Sequence, residues 1–148
     1  MRKINLKDIE DWEWKSPGGN YAASFKGISE ALGRDPNSLD LAKRHPFDLE
    51  LTRVPPGKPN FPYHSHSAQW ELYFVIAGKG SVRDENGTTE VVAGDAFIFA
   101  PNEPHQSQIP ARKIWSITLS PTIRSVNLPI FQIAGNGRST SSATNGWS

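Results

Sequence analysis

GKPNFPYHSHSAQWELYFVIAG, residues 57–78, decides how this chain is read. It carries His64, His66 and Glu71. Successive side chains of an extended segment alternate faces, so His64 and His66 point the same way and Glu71 has the opposite parity. A carboxylate that is to join both imidazoles must therefore sit beyond a turn, on a neighbouring strand, and Ser67, Ala68 and Gln69 give room for that turn. Two imidazoles and a carboxylate converging from adjacent strands make a site for a divalent metal.

A second segment follows the same logic. Gly94-Asp95 opens a turn, Ala96–Ala100 is a short apolar strand, and Pro101-Asn102-Glu103-Pro104 turns the chain into His105. Three of the four histidines thus fall in these two segments, whereas His45, in Arg44-His45-Pro46-Phe47, reads as a loop residue. Together the segments resemble the paired motifs of the cupin superfamily. Gly57, His64, His66, Glu71 and Gly78 match the first motif, with one extra residue between Gly57 and His64. Gly94 and His105 match the second, while Ala100 and Asn102 stand at its Pro and Gly positions and Ile109 where Asn is expected. The span from about residue 48 to 106 is similar to small single-domain bacterial cupins of the phosphomannose-isomerase-like kind.

The resemblance implies an all-β fold, a double-stranded β-helix or jelly-roll barrel, with His64, His66, Glu71 and His105 as ligands to one divalent transition metal. Iron or manganese there would bind O₂ and substrate together, as in cupin dioxygenases. Zinc would act as a Lewis acid on a carbonyl or enediol, as in cupin isomerases, and nickel or copper also suits the donors. The substrate would be a small polar molecule. Arg53, Tyr63, Tyr73, Phe99 and Gln106 are candidates for the pocket wall, with barrel packing an equal role for each, or for Gln106 a hydrogen bond behind a ligand. A non-catalytic barrel that binds a sugar-like ligand is the alternative, and a barrel that has lost its activity is a third reading.

Composition sets the outer limits. The 148 residues suffice for one domain with its own core. With no cysteine there is neither a disulfide frame nor a thiolate metal site. The N-terminus MRKINLKDIEDWEW lacks the apolar run of a secretory signal, and no stretch reaches membrane length, so a cytoplasmic location is expected. A net charge of +1 with no basic stripe gives no support to nucleic-acid binding.

Three parts are expected: an N-terminal arm (1–46), the barrel (47–120) and a divergent tail (121–148). In the arm, Trp12 and Trp14 suit one face of an extended segment, and Ser24 to Gly33 reads as a short amphipathic helix with Ser24 as N-cap. Phe47–Val54 alternates as a half-buried strand whose Phe47, Leu49 and Leu51 share a face with Arg53, aiming Arg53 at the barrel mouth. In Glu71–Ile76 both faces are apolar enough for burial. Asn86-Gly87 between alternating runs predicts a hairpin with a type I′ turn. Lys113–Leu119 predicts a strand with Trp115, Ile117 and Leu119 inward. The apolar surface of Trp12, Trp14 and Leu72–Ile76 favours a homodimer, the arm resembling one that lies across a partner.

The tail departs from the family. All fifteen acidic residues lie at or before Glu103, while the remainder carries only Arg112, Lys113, Arg124 and Arg138 as charged residues. Read one base earlier, the codons for IWSITLSPTIR can encode DLVYYVIADNP, a string like the ordinary end of these cupins. A one-base shift after His105 would account for the lost acids and the missing Asn together, and would leave all four ligand positions untouched.

Overall fold

Short β-branched and aromatic runs punctuated by Gly and Pro favour sheet over helix, and the computed structural model has nine strands among its described residues. It describes residues 1–40, 42–108 and 113–119, the last as backbone. The strands are β1 (Trp12–Lys15), β2 (Ala22–Gly27), β3 (Phe47–Arg53), β4 (Trp70–Ala77), β5 (Lys79–Asp84), β6 (Gly87–Val92), β7 (Ala96–Phe99), β8 (Gln106–Gln108) and β9 (Lys113–Leu119). They form a larger sheet in the order β1-β2-β3-β9-β4-β7 and a smaller one in the order β6-β5-β8. This is the double-stranded β-helix that the resemblance implied.

β4 sits where the two sheets meet the core. Glu71, Tyr73 and Val75 are buried along one face, while Leu72, Phe74 and Ile76 on the other are half-buried. Val54, Tyr73, Val75, Val82, Val91 and Phe99 pack into one cluster, each fully buried aliphatic or aromatic side chain contributing roughly 1.5–3 kcal/mol. β9 runs antiparallel between β3 and β4, so that Ser116 stands opposite both Glu50 and Tyr73 in register. That spacing holds the β3 and β4 walls one strand apart.

The arm is part of the same sheet. β1 and β2 pair with each other and β2 pairs with β3. The helix expected from Ser24 is shorter: Ala22–Gly27 is a strand, and only Ile28–Ala31 is helical, with Gly27 at its N-cap. Phe25 and Ile28 are buried, but their three-residue spacing comes from a strand buried on both faces running into a single helical turn. Lys26, also buried, reaches Asp11 at 3.3 Å and donates to the Ile9 carbonyl, pinning the start of the arm.

Two further local expectations are corrected. Arg53 lies outside the cavity and pairs with Asp11 at 3.1 Å; the β3 residues facing inward there are Glu50 and Thr52. The hairpin of β5 and β6 forms, but Asp84 pairs with Gly87, which leaves Glu85 and Asn86 as its central residues. A type I′ turn needs positive φ at both, and among the described residues Asn102 alone combines a side chain with positive φ. His45 lies outside helix and strand, as expected. The inward facing of Trp115, Ile117 and Leu119, the residue at 109 and the shifted tail lie outside the described side chains or residues. No helix among the described residues is long and apolar enough to cross a membrane.

Candidate metal centre

Three segments bring the four side chains to one point. His64 and His66 lie in the extended stretch before β4, Glu71 on β4, and His105 at the entrance to β8. His64 and His105 form an isolated antiparallel bridge. His64 N donates to the His105 carbonyl at 3.1 Å, and His105 N donates to the His64 carbonyl at 2.8 Å. The bridge puts both imidazoles on one side of the sheet as cross-strand neighbours. A bend at Ser67 and Ala68 then reverses the parity and delivers Glu71.

Asn102 explains how the second segment tolerates a side chain where the family motif has glycine. Its φ is 69°, the left-handed region, which Asn enters more readily than other non-glycine residues. Its N–H donates to the His66 carbonyl at 2.7 Å, tying the two segments together a second time. Gly94, with φ 98°, turns the chain into β7 at the point where its N–H reaches the Val75 carbonyl.

One donor atom from each of His64, His66, Glu71 and His105 lies within 4.8 Å of the others. His66 Nε2 is 3.2 Å from Glu71 Oε1, and His105 Nε2 is 2.6 Å from Glu71 Oε2. Both ring nitrogens are buried and lack an aligned hydrogen-bond partner, the condition that a cation would relieve. On the far side of the rings, His64 Nδ1 meets the Pro62 carbonyl at 2.8 Å and His105 Nδ1 meets the Glu103 carbonyl at 3.0 Å. A carbonyl only accepts, so each Nδ1 carries a proton, which leaves Nε2 as the nitrogen able to ligate when the ring is neutral. The residues present therefore fit a divalent ion.

Packing fixes these groups. His105 is 2% exposed, and its ring stacks on Phe99 at 4.1 Å with the planes 4° apart. Tyr73 Oη donates to Glu71 Oε2 at 3.0 Å. Burial and the nearby Glu71 carboxylate hold the Tyr73 phenol well above its ordinary pKa, so it stays a neutral donor. Burial alone would raise Glu71, but His105 and His66 outweigh it and lower its pKa. Burial would lower His105, yet Glu71 and the Glu103 carbonyl raise it on balance. His64 is lowered, chiefly by burial, which favours the neutral, ligating imidazole.

The other expected pocket residues have separate places. Tyr73 lines the adjoining cavity of about 410 Å³, together with Phe25, Phe61, Asn60, Glu50 and Thr52. Phe99 packs behind His105. Gln106 is buried and its Nε2 donates to the Phe61 carbonyl at 2.9 Å, bracing the loop before His64. Tyr63 is exposed beneath Arg83, whose guanidinium carbon is 4.8 Å from the ring centroid. Glu50 and Thr52 escape a sequence reading because a polar residue alternating with Leu looks like the solvent side of a strand.

The β-helix thus gathers three imidazoles and one carboxylate into a group that could hold a metal ion. Residues 50–113 match the family model of the cupin domain, and the fold is shared with solved cupin structures. A sugar phosphate isomerase of the cupin superfamily from Silicibacter pomeroyi aligns at TM-score 0.61 and 19% identity over 79% of this chain and 74% of that one. A protein described as a predicted oxalate decarboxylase from Thermotoga maritima aligns at 0.60 and 16% over 80% and 98%. A cupin protein from Bacteroides fragilis aligns at 0.58 and 17% over 88% and 96%. At these identities the likeness is one of fold. No curated protein matches the sequence.

Proposed function

We propose that this chain is a metal-dependent enzyme of the dioxygenase or sugar-isomerase type, acting on a small polar molecule. His64, His66, Glu71 and His105 would hold one divalent transition metal. Such an ion polarises a bound oxygen atom and, if redox-active, engages O₂. The observation that carries the reading is the convergence of four donor atoms within 4.8 Å, two of them buried nitrogens with no aligned partner. The remaining work falls to the chain itself. The two Nδ1–H···O=C bonds set the tautomer, Phe99 holds the His105 plane, and Tyr73 keeps one Glu71 oxygen engaged. The adjoining cavity receives the substrate beside Glu71 and the imidazoles.

Metal analysis of protein purified without chelators tests this directly. About one ion per chain is expected, reduced in His105→Ala, with turnover of at least one member of a panel of small sugars and hydroxy acids, followed with and without O₂. Absence of a stoichiometric ion would sink the metal reading. An ion with ligand-induced stabilisation but no product would make the barrel a binding module instead.

A further inference from the structure

The cavity beside the four ligands has a second wall. β3 turns Glu50 and Thr52 into it, and the loop before His64 adds Asn60 and Phe61. Thr52 Oγ1 donates to Glu50 Oε1 at 3.2 Å, and Asn60 is only 5% exposed. No Lys or Arg lines this cavity among the described residues. Among the described side chains, nearby cations are engaged elsewhere: Arg34 with Glu30 at 2.7 Å and Asp48 at 3.2 Å, Arg53 with Asp11 at 3.1 Å, and Lys26 with Asp11 at 3.3 Å. The charges that bear on Glu50 are those of Asp48, Glu30 and Glu71, all carboxylates.

A phosphate or carboxylate placed against this wall would lose water and meet like charge, with no Lys or Arg among the described lining residues to answer it. A hydroxyl can donate to Glu50, and the apolar face of a polyol can lie on Phe25 or Phe61. We infer that the site takes a small ligand with an oxygen-bearing head for the metal and an uncharged, hydroxyl-bearing tail against Glu50, and that it discriminates against ligands whose tail is a carboxylate or phosphate. This rests on the metal reading above and gives it a substrate class.

Threonate and tartrate test it. They share an α-hydroxy-carboxylate head and differ at C4, a hydroxymethyl group in one and a carboxylate in the other. Binding to the zinc-loaded full chain is measured by calorimetry at pH 8, above the value of about 7 to which burial pushes Glu50. Threonate is expected to bind at least about tenfold tighter, and Glu50→Gln to bring the two within about twofold. Thr52→Val, which keeps the carboxylate, should retain the preference. Equal or tighter binding of tartrate to the wild type, binding of neither, or a ratio unmoved in Glu50→Gln overturns the inference. Zinc content measured on the same preparations separates the two claims. A chain that takes up no zinc overturns the metal reading and this one together; a loaded chain without the preference overturns this one alone.

Discussion

Two carboxylates face the same cavity from walls one strand apart, and they are driven in opposite directions. Glu71 on β4 is buried among His105, His66 and the Tyr73 hydroxyl, and its pKa falls despite burial. Glu50 on β3 has, among the described residues, Thr52 as its favourable partner and Asp48, Glu30 and Glu71 as charged neighbours, and burial above all raises its pKa to about 7. Burial acts the same way on both, so it is the neighbours that separate them. One wall keeps its carboxylate charged, and the other holds a carboxyl poised between its two forms near neutrality.

The sharpest way to break that contrast is to neutralise each carboxylate in turn. Glu71→Gln should weaken zinc or manganese binding by more than the roughly 100-fold that loss of an outer-shell partner brings, whereas Glu50→Gln should leave it within about threefold; calorimetric titration of the metal reads both. Equal losses would erase the distinction between the walls.

A second effect of Glu50 is on folding, with a definite sign. Between its ordinary pKa of 4.5 and about 7, the folded chain keeps a proton that the unfolded chain has released. Stability therefore falls as pH rises through that window, by on the order of 3 kcal/mol for this group. Asp48, also raised, chiefly by burial, adds to the same slope. Glu71, being lowered, acts the other way: its contribution is present above 4.5 and is lost as pH falls further. Urea unfolding of the metal-free chain should show Glu50→Gln more stable than wild type at pH 8 and no different near pH 4. A pH-independent difference would show that the carboxyl is not under strain.

The smallest effect should come from the outside of β3. Arg53 and Asp11 form a partly exposed pair at 3.1 Å, so Arg53→Ala should cost less than about 1 kcal/mol in the same unfolding experiment and leave metal binding unchanged.

The two walls also differ in how legible they are in the amino-acid sequence. The wall with Glu71 and the imidazoles announces itself because histidines are rare in this chain and three of the four occur at motif spacing. Asn102 keeps the backbone conformation that the motif's glycine supplies, so the departure leaves the loop intact. The β3 wall is hidden by a rule that holds elsewhere in the fold, apolar in and polar out. At the mouth of a barrel the inside is itself polar, so Glu50 and Thr52 point inward while Arg53 turns to Asp11. The helical pattern over Ser24–Lys26 misleads for a related reason. A strand buried on both faces loses its two-residue period, and what remains mimics helical spacing.

The paired backbone bonds between His64 and His105 have a consequence for the apo protein. In a zinc finger the ion gathers its own ligands, and the chain unfolds without it. Here sheet pairing has already brought two ligand positions alongside each other and a core has locked one ring, so the entropy of assembling the site is spent during folding. An ion would enter a finished socket, and chelation would empty it while the barrel stays folded, making metal exchange a reversible event on a persistent scaffold.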